Sequence, residues 1–379
     1  MKEIKEIVFV RHTLRAFEIK LAGVLKKRGY KISAITFYNL DKDWQDVFDE
    51  NYYLLEENKR KISKYLKMLY IPRLLFSVRK IKKNIVIGIS GPNWFTTLFF
   101  MILGRKAINK IYFPYDITYF RWKDYKITPW VERFSEKYNF RKSNGIIHKG
   151  PEDELNYLPN NFKALNKPSI QFLPYCNDSL MIKMDKDYFK KKLSKHDGNI
   201  HVAYVGGVYH NRPDHFQTID VFREIVKQKI YLDAYITSYD YIVDDPGYKN
   251  LQKNKYFKMH KPIYSKDLQK ELGKYDWGVV IFFIDFKKLK KEWAATAFGN
   301  KTSTYLEAGL PNIVNNELSF SAYVVKKNGF GINIENINEL KKAIEKTDYE
   351  KLLKSLMKNR FKFTIDKNIT RLEDFIQKI

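Results

Sequence analysis

The stretch FGNKTSTYLEAGLPNIVNN, residues 298–316, sets Lys301, Thr302, Ser303 and Thr304 at the mouth of a short helix that ends at Gly309. A helix N-terminus offers unpaired N–H groups and a partial positive charge. With a lysine and hydroxyls beside it, it is a place to hold a phosphate. The hydroxyls can also act as N-caps, and capping and binding can coexist. Two further residues have types suited to chemistry. Asp116 follows an apolar strand and His12 follows the first strand, both at the sheet edge where ligands of α/β proteins gather. An aspartate there can take a proton, orient a hydroxyl, or only close an Asx-turn. A lone histidine there contacts a ligand or serves packing. Arg11 and Arg15 lie close in sequence and could meet an anionic group. No metal site is expected. The single cysteine, Cys176, excludes a cysteine-based zinc site, and His148 and His260 stand without ligand spacing. Asp244 and Asp245 fall in a polar Pro-Gly loop and read as surface.

The elements that must position these residues alternate. IVFV (7–10), KISAITFYN, NIVIGIS (84–90), NKIYFP, NGIIH and SIQF are short apolar runs separated by helical patterns. A polar, lysine-rich stretch, KMDKDYFKKKLSKHDGN, precedes a second such series. That series opens with IHVAYVGGVYHNR, a strand and glycine loop, and continues through a helix near 214–228, IYLDAYI, YFKMHKPI, DWGVVIFFI, NIVNN and GFGINIE. Near-continuous apolar strands argue for parallel sheets covered on both faces. The expected fold class is α/β, with two doubly wound domains facing across a cleft. The expected boundaries are 1–178 for the first domain, 179–199 for a linker and 200–362 for the second. Residues 363–379 form a final helix expected to pack back on the first domain.

The chain has 379 residues, 44% of them apolar and 16% aromatic, enough for two packed cores. Its net charge is +26, from 69 Lys+Arg against 43 Asp+Glu. Such an excess fits an anionic partner, or else a lysine-rich proteome. The basic segment 57–83, ENKRKISKYLKMLYIPRLLFSVRKIKK, either lies on an anionic membrane surface or covers the sheet as an outer helix. The start has no secretory pattern and WFTTLFFMILG (94–104) is about half a spanning length, so the expected location is cytoplasmic, either free or peripheral on the inner face of the cell membrane.

In order and spacing these segments resemble a glycosyltransferase of the GT-B architecture, most similar to the large retaining "glycosyl transferases group 1" family. FLPYCND stands where that family ends a strand in Pro-Asn-Gly-Val-Asp, and VAYVGGVYHNR resembles the strand and Gly-Gly loop that open the nucleotide domain. FGNKTSTYLEAGLPNIV is similar to the Lys-Leu-x-Glu-Tyr-x-Ala-x-Gly-x-Pro donor signature. PYDITYFRW with the helix after it resembles the acidic loop of the first domain. The two glutamates of the family's donor loop are Thr296 and Thr304 here, and Glu307 would face another side of the helix.

The resemblance implies transfer of a sugar from a nucleotide-sugar donor to a glycan or lipid-linked acceptor in surface polysaccharide or glycoconjugate assembly. It implies no cofactor and no metal. Gly206 and Gly207 would let the backbone approach the donor diphosphate, Arg212 or Lys301 would neutralise it, and Thr302, Ser303 and Thr304 would cradle it. Tyr239, Pro262 and Tyr264 are the expected contacts of the nucleobase. Asp116 and His12 are the catalytic candidates. A sugar-nucleotide epimerase or glycerophosphate-type transferase would use the same fold, but an epimerase should carry more carboxylates and histidines near the donor loop. A basic nucleic-acid-binding protein is the reading from a different class. It needs an exposed face of aromatics and cations on a sheet or recognition helix, which buried alternating strands do not leave, so no nucleic-acid partner is expected.

Overall fold

The structure is a computed structural model and describes residues 6–40, 42–56, 71–72, 75, 85–90, 94–103, 109–208, 218–263 and 266–379. Arg212, Tyr264 and all of the basic segment 57–83 except Ile71, Pro72 and Leu75 lie outside the described residues.

The chain divides into two compact units, residues 1–173 with 368–379, and residues 174–367. Unit one holds a parallel sheet in the order β3-β2-β1-β4-β5-β6-β7. Its strands are β1 (Glu6–Arg11), β2 (Lys31–Tyr38), β3 (Glu50–Leu55), β4 (Ile85–Ser90), β5 (Asn109–Pro114), β6 (Gly145–His148) and β7 (Ser169–Gln171). Unit two holds a parallel sheet in the order β10-β9-β8-β11-β12-β13. Its strands are β8 (His201–Gly206), β9 (Tyr231–Ile236), β10 (Phe257–His260), β11 (Trp277–Val280), β12 (Asn312–Asn315) and β13 (Gly331–Ile334). The longer helices are α1 (Ala16–Lys27), α2 (Trp94–Leu103), α3 (Trp130–Lys142), α4 (Thr218–Lys227), α5 (Asn300–Glu307), α6 (Ser319–Asn328), α7 (Tyr349–Asn359) and α8 (Ile365–Lys378).

Parallel neighbours need a crossover that returns the chain to the same sheet end, as α1 does between β1 and β2, α2 between β4 and β5 and α3 between β5 and β6. Ile7, Val8, Phe9 and Val10 of β1 are fully buried, as are Ile313 and Val314 of β12, so both sheet faces are covered. In each unit the strand order reverses beside the first strand, between β1 and β4 and between β8 and β11. Such a reversal opens a crevice at the strands' carboxyl ends.

Two features depart from the expected elements. β3 was not anticipated. It is an edge strand whose first half is only partly buried, so ENYYLL lacks the continuous apolar signature of its neighbours. Residues 179–199, expected as a linker, belong to the second unit. Tyr188 and Lys192 are buried there, and the Tyr188 hydroxyl donates to Gly309 O at 2.9 Å. Buried side chains between the surface lysines hold this segment against the unit. The last helix, α8, places Glu373 2.8 Å from the Arg28 guanidinium and sets Phe375 and Ile379 against Gly145.

Candidate functional site

The second unit builds its site on one tyrosine. Tyr305, in α5, is wholly buried. Its hydroxyl accepts from Val205 N at 3.0 Å and donates to Val279 O at 3.1 Å. One side chain therefore ties α5 to β8 and β11 at the point where the strand order reverses. The ring lies against Gly278, where an added Cβ would come within 2.2 Å of Tyr305 Cγ. At the other end of α5, the buried Arg360 guanidinium donates to Leu306 O at 3.0 Å, meeting the negative end of the helix. Glu307 is fully buried; its carboxylate accepts from Asn177 N at 2.8 Å and Gln269 Nε2 at 2.9 Å.

Lys301 lies one turn before Tyr305 on the same helix face. Since Tyr305 is bonded to Val205 N, Lys301 reaches the next residue of that strand, Gly206. A Cβ built on Gly206 would sit 3.0 Å from Lys301 Cε, and Gly206 has φ +138°, a conformation that suits glycine. The Lys301 ammonium lies 3.8 Å from the Tyr204 ring centroid and 4.8 Å from that of Phe282. Desolvation lowers its pKa to about 7. A lysine poised in this way gains most from an arriving anion.

The three hydroxyls that follow do not point outward. Ser303 Oγ and Thr304 Oγ1 donate back to Asn300 O at 2.9 and 3.1 Å, and Thr302 is fully buried. Helical spacing lets Ser303 and Thr304 reach a carbonyl three or four residues back, so these two hydroxyls are engaged within the helix, while the amides of the same residues stay part of the expected phosphate cradle. The helix opens at Gly299 with no side-chain cap. What remains for an anion is the first-turn N–H groups, Lys301 and the glycine loop.

Gly206 and Val208 are anchored to the loop after β9, and Gly207 to Tyr204 of β8. Gly206 O accepts from Thr237 N at 3.2 Å, Gly207 O from Tyr204 Oη at 2.9 Å, and Val208 O from Ser238 Oγ at 2.9 Å. Tyr239 follows Ser238, half-buried, with the Lys261 ammonium 5.9 Å from its ring centroid and Pro262 next in the chain. His260 pairs with Asp233 and stacks on Tyr235 at 4.6 Å, so it is part of a side-chain network under this edge. Its counterpart His148, in the first unit, pairs with Glu154 at 3.2 Å. Among the described residues no group of three or more His, Cys, Asp and Glu could hold a metal ion.

In the first unit, Asp116 joins a cation cluster. Lys149 Nζ lies 3.0 Å from Asp116 Oδ1. Lys149, Arg15 and Arg11 gather over the Tyr115 ring at 4.0, 4.5 and 5.1 Å from its centroid. Arg11 also pairs with Glu18, which accepts from Arg15 N at 2.6 Å. Burial acts to raise the Asp116 pKa, but Lys149, Arg15 and Arg11 outweigh it and hold the carboxyl well below the usual range. His12 is partly buried at the end of β1, stacked on Phe37 at 4.5 Å. Sequence reasoning missed Tyr305, Lys149 and Tyr115. The four-residue step from Lys301 to Tyr305 carried a signal; Lys149, just after β6, the strand beside Asp116's β5, carried none.

Residues 221–368 match the family described as "Glucosyltransferase 3-like, C-terminal domain". A search of curated proteins found no match. Solved structures match over nearly the whole chain. Alr3699/HepE of Anabaena, in complex with UDP and glucose, has a TM-score of 0.66 at 11% identity, covering 99% of this chain and 100% of that one. A glycosyltransferase from Rickettsia africae ESF-5 has a TM-score of 0.62 at 12% identity, covering 99% and 98%. A putative UDP-N-acetylglucosamine 2-epimerase from Listeria monocytogenes has a TM-score of 0.60 at 12% identity, covering 100% and 96%.

Proposed function

Starting from a chain of GT-B fold whose residues 221–368 match the glucosyltransferase 3-like C-terminal domain, we infer that the protein is a nucleotide-sugar-dependent glycosyltransferase acting on a glycan or glycolipid acceptor. The observation that carries this reading is Lys301 packed on Gly206 at the N-terminus of α5, at the strand-order reversal of the second unit. In the transfer, the bond between the sugar's anomeric carbon and the diphosphate oxygen breaks, the acceptor oxygen bonds that carbon, and the acceptor's proton leaves. The leaving diphosphate gathers negative charge, and a desolvated ammonium with first-turn amides stabilises it as it forms. UDP, bound in HepE, is the first nucleotide to try. Tyr239 and Pro262 are proposed to meet the nucleobase. Arg212, on the segment after the glycines, is a second candidate cation. No metal is required in this reading, because protein cations carry the diphosphate's charge.

On the first unit, Asp116 is proposed to receive a hydrogen bond from the acceptor and orient it. Its cations keep it ionised, and so weakly basic, near neutral pH. His12 is the group proposed to take the proton. The test is a panel of nucleotide sugars assayed for hydrolysis, with isothermal titration of UDP against wild type and Lys301→Ala. The reading requires hydrolysis of at least one donor and a fall in affinity of at least about tenfold in the variant. Unchanged affinity, or epimerisation of the donor with no transfer or hydrolysis, would overturn it.

A further inference from the structure

Helix α3 is inverted relative to an ordinary surface helix. Its buried residues are Ser135, Glu136, Asn139 and Phe140, three of the four polar. Two of them hold partners inside: the Glu136 carboxylate accepts from Thr118 N at 2.6 Å, Tyr119 N at 3.1 Å and Tyr125 Oη at 2.8 Å, and Asn139 Oδ1 accepts from Thr97 Oγ1 at 3.2 Å. The outward stripe is aromatic. Trp130 is 70% exposed and Phe134 48%, with Tyr138 one turn further and Ile127, 63% exposed, just ahead of the helix. Steps of three and four residues put Trp130, Phe134, Lys137, Tyr138 and Arg141 on one face, and Glu132 and Glu136 off it. Solvent alone gives no reason to turn carboxylate and amide inward and tryptophan outward.

The surroundings are cationic. Lys123 and Lys126 are exposed in the turn before the helix and Arg141 and Lys142 at its end. Asp124 is the acid in that turn, and its carboxylate is engaged with Lys126 N at 2.8 Å. Helix α2, which packs beside α3, has no charged residue and shows Met101 to solvent. Among the described residues no helix is long and apolar enough to cross a membrane.

We propose that the Trp130–Phe134 stripe of α3 with its flanking lysines docks the protein on an anionic lipid bilayer. Aromatic rings prefer the headgroup boundary, and lysine and arginine are drawn to an anionic leaflet. Aromatics bordered by Lys123, Lys126, Arg141 and Lys142, with Asp124 already engaged by Lys126 N, complement that surface. This stripe uses no residue of the basic segment 57–83 and none of those assigned to the donor.

Full-length protein is floated with vesicles of phosphatidylglycerol and phosphatidylethanolamine, and with phosphatidylcholine vesicles. Wild type should partition onto the anionic vesicles at least about tenfold more than onto phosphatidylcholine, and less at high salt. Trp130→Ser/Phe134→Ser should lose at least about tenfold of that partition, and Lys123→Glu/Lys126→Glu should remove both the binding and its salt dependence. Unchanged melting temperature and UDP affinity in both variants would show that they remain folded. Equal partition of wild type onto both vesicles, or wild-type binding by the aromatic variant, would overturn the proposal. So would a wild-type dimer in sedimentation velocity that the aromatic substitutions break, since a second copy would then cover the stripe.

Discussion

Donor binding should be linked to proton uptake at Lys301. In the ligand-free site desolvation lowers this lysine's pKa to about 7, against an ordinary value near about 10.4. A diphosphate beside the ammonium favours the charged form and raises the pKa again. If the bound value returns near the ordinary one, affinity holds below about pH 7 and weakens by nearly tenfold for each further unit, about fiftyfold between pH 7 and pH 9. A nucleotide sugar is the ligand to use, because its diphosphate is fully ionised across this window. Isothermal titration in buffers of different ionisation enthalpy should find up to about one proton taken up per donor near pH 8.5. Lys301→Met should abolish both the uptake and the pH dependence. The stability of the free protein has the opposite sign. Between about pH 7 and pH 10.4 the unfolded chain binds the proton that the folded lysine has lost, so stability rises with pH through that window. The Met variant should lack this rise and melt at or above the wild-type temperature near neutral pH. A wild-type affinity that is flat from pH 7 to pH 9 with no proton uptake would refute the argument.

Other outcomes follow from single contacts. Gly206→Ala puts a side chain at φ +138° and 3.0 Å from Lys301 Cε, so it should cost about 1–2 kcal/mol in thermal unfolding and weaken UDP binding at least about tenfold. Tyr305→Phe leaves Val205 N without its acceptor, a loss of about 1–3 kcal/mol, and should lower donor affinity more than acceptor affinity in steady-state kinetics. Asp116→Asn should lower kcat/KM for the acceptor and leave the donor KM unchanged. Wild type should show no acid limb from Asp116 in its pH–rate profile above about pH 5, and Lys149→Met, by removing the nearest cation, should bring that limb upward toward neutrality. Activity should persist in EDTA; strict dependence on an added divalent cation would contradict the metal-free reading.

The parts of the fold that the sequence made legible are those buried on both faces. IVFV and NIVN (312–315) could be read as strands because every position on them is buried. β3 could not, because an edge strand half in solvent has no continuous apolar run. Gly206 and Lys301 were read as parts of one site from residue type and order, and a Cβ built on Gly206 would lie 3.0 Å from Lys301 Cε. The direction of the neighbouring hydroxyls was not legible, because residue type is silent on it: the helix turns Ser303 and Thr304 onto Asn300 O. Asp116 could be placed at a strand end, but not beside Lys149, since that contact depends on how β5 and β6 align in the sheet. The inverted face of α3 hid in plain composition, because WVERFSEKYNFRK looks like any mixed surface helix until its burial is known.

The two units meet charge in opposite ways, and the difference follows from packing. Asp116 remains about half exposed and is surrounded by cations over one tyrosine ring, so its charge is present whether or not anything is bound. Such a group can hold a hydroxyl in place, but its conjugate acid is too strong to keep a proton near neutral pH. Lys301 has no carboxylate among the causes of its shift; its ammonium rests on the rings of Tyr204 and Phe282, and burial alone governs it. Its charge is therefore conditional, weak in the empty site and restored by an anion. An arginine would stay charged in both states and would hold the departing diphosphate as firmly as the donor. A lysine whose empty-site pKa is near neutral can lose its proton as the product leaves, which favours release. Lys301→Arg should for that reason slow turnover more than it weakens donor binding, with stopped-flow UDP release as the slowed step. Release as fast as in wild type would place the advantage of lysine in its shape beside Gly206 and not in its proton.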